Sequence, residues 1–361
     1  MDAAIKAEAL PSAELTNLNG LTRPLWPIRY KPLPGELLSS WLVRLAHGHG
    51  LKVQTFCNII FGNRLQVWNR DIDRLAPPWL LSALVAHTGT SERDAWFTTL
   101  RVYEGHLCRT VKASGHVQWL QSLLMYHRTR EGFGQQYCPA CLASDAIPYF
   151  RKSWRVALKT MCLQHECLLL DRCEQCAAPI SFHRIDMGRG GLEIEPSMRH
   201  CYACKFDLAS ARQEAPEFHD SPASLAWMME QVRSVDALSE GLSSSVYLSE
   251  LDVLRNLVGL MLSRTSANRL NEYVAEKIGA PAIEWPGNKR TAIESLPRWQ
   301  RHQLLLQGSW LMLAPAERIT AAWQAKAIRY NHLIKDFEQM PDWYRTTVIA
   351  KLARRPYTHR R

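Results

Sequence analysis

Eight thiol and imidazole donors fall between residues 138 and 204, all in one spacing. They are Cys138-x-x-Cys141, Cys162-x-x-His165, Cys173-x-x-Cys176 and Cys201-x-x-Cys204. Two intervening residues let both donors of a knuckle turn toward one ion, and a second knuckle completes a tetrahedron. The 20- and 24-residue gaps inside the outer pairs are too short to bury a core unaided, so metal must supply much of this block's stability. A single C-x-x-C would suit a redox pair equally well. Four knuckles of one spacing point instead to structural zinc, two ions per chain. With four protein donors on each ion no coordination position stays open, which argues against a zinc-activated water.

Two pairings are conceivable. In the sequential one, Cys138, Cys141, Cys162 and His165 share one ion, and Cys173, Cys176, Cys201 and Cys204 share the next. The cross-braced one pairs first with third and second with fourth, as in RING-type ubiquitin ligases, whose donor order is the same. RINGs leave two or three residues between the His and the next Cys, whereas seven stand between His165 and Cys173, so sequential pairing is expected. Cys57 reads as core and Cys108 as a loop residue. Cys167 is a rival ligand that breaks the two-residue spacing. His47 and His49 in HGHG read as an ordinary turn, and His200 as a neighbour of the second site.

In a chain expected in the cytoplasm, ten cysteines point to metal or redox chemistry rather than disulfides. Its first 20 residues lack an apolar leader region, and runs such as WLLSALVA (79–86) are far too short to span a bilayer. The net charge of +10 is uneven. Residues 281–361 hold 14 basic against 6 acidic side chains, while residues 216–280 hold 5 against 9. Basic ends around an acidic middle suit a protein that touches nucleic acid through its outer segments.

The rest of the chain reads as helical. After the Pro-rich stretch 23–36, Leu38, Trp41, Leu42, Leu45 and Ala46 recur at helix spacing until HGHG (47–50). KVQTFCNIIFG follows, with Val53, Phe56, Ile59 and Ile60 on its apolar side, giving a helix-turn-helix layout. PPWLLSALVAHTG and SERDAWFTTL repeat the form, with Ser91 as N-cap and Asp94 at N3. HVQWLQSLLMYHRTR (116–130) is expected as a further helix. Beyond Cys204, segments such as AERITAAWQAKAIRYNHLIKDF carry apolar residues three and four apart. The expected architecture is mainly α with small zinc-stabilised segments. It comprises a flexible tail (1–30), an N-terminal helix-turn-helix domain (31–135), a tandem zinc module (136–210) and a C-terminal helical domain (211–361) with room for a second helix-turn-helix.

LPGELLSSWLVRLAHGHGL (33–51) resembles the N-terminal signature of the TniQ/TnsD family of transposition target-selection proteins. The Tyr137–Pro139 start, the Trp154–Arg155 pair and the run Cys162, His165, Leu169, Cys173 are similar to that family's zinc-finger pattern. Leu38 stands where the family often has a small polar residue. The resemblance covers about residues 30–210 and implies a non-enzymatic adaptor. Such proteins hand a target site to an AAA+ ATPase regulator that recruits the transposase. Some members bind attachment-site DNA, and others dock as homodimers on an RNA-guided Cascade complex.

Candidate nucleic-acid contacts follow from the residues themselves. Lys52, Gln54 and Thr55 would open the second helix of the helix-turn-helix, where such helices meet base edges. Arg151, Lys152, Arg155 and Lys159 surround Trp154 in a basic and aromatic mixture. Lys289, Arg290, Arg298 and Arg301 cluster near Trp299, and with the tail they make the preferred surface for phosphate. No Walker A, nucleophile-elbow or Rossmann fingerprint is present, so no catalytic residue is assigned. Two alternatives share the parts: a RING-like ubiquitin ligase and a zinc-finger/helix-turn-helix transcription regulator.

Overall fold

The structure is a computed structural model that describes residues 20–62, 65–125, 132–187, 197–216, 221–243, 247–263, 268–283 and 292–352. It is mainly helical, with one two-stranded antiparallel pair among the described residues.

Helix α1 (Leu38–Gly48) is buried on every side from Leu38 to Ala46. A helix so enclosed must satisfy its polar side chains internally, and the sequence around it provides the partners. Pro34 and Gly35 occupy the centre of a turn closed by the Glu36 amide donating to the Leu33 carbonyl, with Gly35 at φ +64°. That left-handed position suits glycine. The turn aims Glu36 back along α1, where its carboxylate accepts from Ser40 Oγ at 2.8 Å and from Arg44 Nε and Nη2 at 2.8 and 2.7 Å. The Trp41 indole donates to the Tyr30 carbonyl at 2.7 Å. The Glu, Ser, Trp and Arg of the 33–51 signature are thus an internally neutralised way to bury a helix.

Residues 49–52 turn the chain into α2 (Val53–Phe61). Val53, Phe56 and Cys57 face the core, but Ile59 is exposed, so the apolar side is narrower than its sequence suggests. Helices α3 (Pro78–Thr88) and α4 (Glu92–Phe97) follow, the second capped by Ser91 Oγ accepting from the Asp94 amide.

Residues 116–125 are not helical; 126–131 lie outside the described residues. Trp119 and Leu124 have φ of +61° and +46°, the Trp119 amide donates to Glu294 Oε1, and Leu120 bridges Val156. These long-range bonds override the local helical periodicity.

The C-terminal part contains α6 (Pro222–Ser239), α7 (Leu248–Met261), α8 (Leu270–Lys277) and α9 (Arg298–Leu313) (α5 belongs to the knuckle region below). Helix α9 packs on α6 and α7. Gly308 permits this, since a Cβ there would lie 2.7 Å from Leu254 and 2.9 Å from Val258 on α7. The segment expected as one helix over AERITAAWQAKAIRYNHLIKDF is divided into α10 (Pro315–Gln324) and α11 (Tyr330–Ile334). Lys326, at φ +60°, makes the break.

One hydrophobic core runs through all these segments. Buried polar bonds join the parts: Tyr103 to Ser239 at 2.6 Å, Thr160 to His302 at 2.8 Å, and Arg301 to Gln136 at 2.7 Å.

Candidate metal centres

In the first centre, Cys138 is the N-cap of α5 (Pro139–Ser144), so its Sγ accepts from the Cys141 amide while Cys141 projects from the first turn. Strands β1 (Met161–Cys162) and β2 (Cys167–Leu168) pair with Cys162 opposite Cys167, and the turn between them carries His165. His165 Nδ1 lies 3.5, 3.3 and 3.5 Å from the sulfurs of Cys138, Cys141 and Cys162, and Cys141 and Cys162 are 3.7 Å apart. A tetrahedron with metal–sulfur bonds of about 2.3 Å has sulfur–sulfur edges of about 3.8 Å, so the separations match one ion. Bonds among these thiols hold Cys138 below the usual thiol range and Cys141 and Cys162 above it, so the sulfurs share their protons as one coupled cluster.

The second centre is built from one turn used twice. The Cys173 amide donates to the Ala178 carbonyl and the Ala177 amide to Cys173; equally, the Cys201 amide donates to Phe206 and Lys205 to Cys201. Ala177 and Lys205 hold matching left-handed conformations, φ +57° and +68°. Bridges Arg172↔Pro179 and His200↔Asp207 close both turns at equivalent positions. The turns face each other with Cys173 and Cys204 3.6 Å apart and Cys176 and Cys201 3.7 Å apart.

Among the described residues these are two four-donor clusters able to hold a metal ion, each with donor atoms within 4.8 Å of one another. First meets second and third meets fourth, so the cross-brace of a RING is not formed. Cys57 and Cys108 are buried away from both clusters.

The expected nucleic-acid contacts divide. Lys52 is half-buried at the N-cap of α2, and Gln54 and Thr55 are exposed in its first turn. The basic cluster around Trp154 is a correction, because folding consumes it. Arg155 is fully buried, with Nη2 2.5 Å from Asp71 and Nη1 3.5 Å from Asp73. Lys152 is buried with its ammonium on the Phe97 carbonyl, and Lys159 is buried against Asp236, 2.6 Å from Oδ1. Arg151 pairs with Asp145 at 2.7 Å and lies over the Tyr149 and Trp154 rings. Near Trp299, Arg301 is in the core, donating to the Leu296 carbonyl and to Gln136, while Arg298 pairs with Glu214 at 2.8 Å. A cation buried without such partners would be costly, and these partners hold the side chains away from phosphate. Lys289 and Arg290 lie outside the described residues. The sequence reading missed exposed Lys326, Arg329 and Lys335 around α11, and Lys351 near the end of the last described segment. Only the basic excess of residues 281–361 signalled them.

Burial raises the Asp73 carboxyl to about 7, the neighbouring Asp71 adding to it while Arg155 opposes. Behind it, His183 stacks on Trp68 at 4.7 Å, and burial pushes its imidazole down to about 3. No helix among the described residues is long and apolar enough to cross a membrane.

No curated protein matches the chain. The TniQ family model matches residues 27–169, which span the buried α1 signature, the Trp154–Arg155 pair and the whole first cluster, and stop short of the second. Over those residues the chain is similar to the TniQ family.

Proposed function

We propose that this protein is a non-enzymatic target-selection adaptor in DNA transposition, acting in the cytoplasm. On one side it engages target DNA or an RNA-guided complex of the Cascade type, as a homodimer in the latter case. On the other it engages an AAA+ ATPase regulator that brings the transposase. The observation that carries this reading is the TniQ match over a region that brings together four donors able to hold a metal ion. Cys138, Cys141, Cys162 and His165 in one centre, and Cys173, Cys176, Cys201 and Cys204 in the other, are the donors that structural zinc takes. Two zinc ions there would hold loops in shape and leave no position for a substrate.

Helices α1 and α2, read as a helix-turn-helix, offer Lys52, Gln54 and Thr55 to a groove. Helices α10 and α11, read as a second one, carry Lys326 and Arg329 in the connection and Lys335 just beyond it. Cations on those surfaces give salt-dependent, weakly sequence-selective binding. The test measures association of the purified chain with duplex DNA, with a Cascade-type complex and with an AAA+ regulator across a salt series. Binding to the regulator together with one target partner supports the adaptor role. Absence of association with all three at low salt refutes it.

A further inference from the structure

The first centre has a fifth donor beside it. Cys167 Sγ lies 3.6 Å from Cys138 Sγ, about a tetrahedral edge away, in the antiparallel partner position to Cys162. It is buried, as are Cys138, Cys141 and Cys162, whereas His165 is half-exposed. His165 touches all three of those sulfurs and so completes the resting set; Cys167 touches one of them. The donor most open to water or a partner surface therefore has a thiol waiting on the protected side.

We propose that Cys167 is a reserve ligand of the first centre, which takes the metal when His165 leaves it. This rests on reading the cluster as a metal centre. In the exchange the bond from the ion to His165 Nδ1 breaks and a bond to Cys167 Sγ forms. The proton released by the Cys167 thiol is taken up by the freed imidazole, so no external acid, base or oxidant is needed. The site passes from three thiolates and one imidazole to four thiolates, and His165 becomes free to meet a partner while the ion stays.

The experiment uses the full chain loaded with cobalt or zinc, comparing wild type, His165→Ala, Cys167→Ser and the double variant. Two metal ions per wild-type chain establish the parent reading; none would remove that reading before the reserve role is reached. With two ions present, His165→Ala is expected to retain both, and its thiolate-to-cobalt absorption to rise from seven sulfurs' worth to eight. The double variant is expected to lose one ion to a chelator about tenfold faster than His165→Ala. Equal loss from these two variants, with no added sulfur signal, overturns the proposal.

Should His165→Ala fail to fold, the decision passes to wild type against Cys167→Ser. The serine variant is then expected to release one of its two ions about tenfold faster, because each departure of His165 leaves the ion uncovered. Equal release rates from those two proteins overturn the proposal as well.

Discussion

The two centres have nearly the same donors and opposite surroundings. Around the first, Tyr137 pairs its backbone with Leu170, and Gln136 donates to the Trp154 and Lys159 carbonyls while accepting from Arg301. The knuckle is woven into the core on which α1 and α9 also pack. In the second, Cys176 is exposed and Cys204 half-exposed, and the matched turns mostly bond to themselves. Its ties to the remainder run through Leu208–Ser210, which packs on α5 of the first centre, and through residues 180–186. There Phe182 stacks on Phe150 at 4.2 Å, and Asp186 accepts from the Val53 amide at 2.8 Å. One ion would clasp a core that other contacts already shape, while the other would create the shape of its loop.

The largest test of that contrast is to remove one donor from each. Structural zinc contributes about 10–16 kcal/mol, comparable with the whole stability of a domain at about 5–15 kcal/mol. Cys138→Ser also leaves a polar group among buried sulfurs, so it should unfold the helices packed around the first centre. Cys201→Ser should melt only the second loop. Circular dichroism melts with limited proteolysis separate the outcomes, and a global loss of helix in both variants would break the contrast.

Next in size is Arg155→Met. The guanidinium lies between two buried carboxylates, and removing one partner of such a group costs about 3–5 kcal/mol. The pH dependence has a definite sign. Asp73 is raised above its ordinary value, so its contribution is fully present below about pH 4 and lost as pH rises through about 7. Without Arg155 the carboxyl should rise further, so urea unfolding should show a greater deficit at pH 8 than at pH 5. An equal deficit at both would mean that Asp73 is not the group left stranded.

His183 probes the stitch between the two regions. Its folded value is depressed to about 3, so the stability of the neutral ring is present above the ordinary histidine value and lost as pH falls toward 3. The unfolded chain gains about 2 kcal/mol from protonating this one group between pH 7 and pH 5. His183→Phe, which keeps the stack on Trp68, should flatten that limb of the stability curve. An unchanged acid limb would show that His183 does not couple this loop to the helices.

The donor sets were legible because metal chemistry acts through short, fixed spacings; seven residues between His165 and Cys173 sufficed to separate sequential from cross-braced pairing. The basic clusters were misread for the opposite reason. Whether Arg155 meets phosphate or carboxylate depends on Asp71, 84 positions away, and Lys159 depends on Asp236, 77 away. Residues 116–125 failed as a helix on the same account, because Glu294 lies far along the chain from the Trp119 amide it binds. Glu36, by contrast, sits four and eight residues before Ser40 and Arg44, a pattern that could have been seen in ELLSSWLVR.

The smallest expected effect sharpens the account of the second centre. Arg199 forms a forked pair with Asp207, its Nε 2.9 Å from Oδ1, across the ends of the Cys201 turn. Burial alone would raise Asp207, but the bonds from Arg199 and from the Ala209 amide hold it below the ordinary range. The pair is half-exposed, and pairs reached by water contribute about 0–1 kcal/mol, less in salt. The same turn is already closed by the His200↔Asp207 bridge and, in the proposed holoprotein, by metal. Arg199→Gln should therefore shift the melting of the loaded protein barely at all, and 0.5 M salt should erase what shift there is. After chelation the ion pair becomes one of few remaining closures, so the variant loop should be cleaved faster than wild type under those conditions alone. If Arg199→Gln instead weakens the loaded loop as much as Cys201→Ser does, the second centre owes its shape to surface charge and not to its four sulfurs.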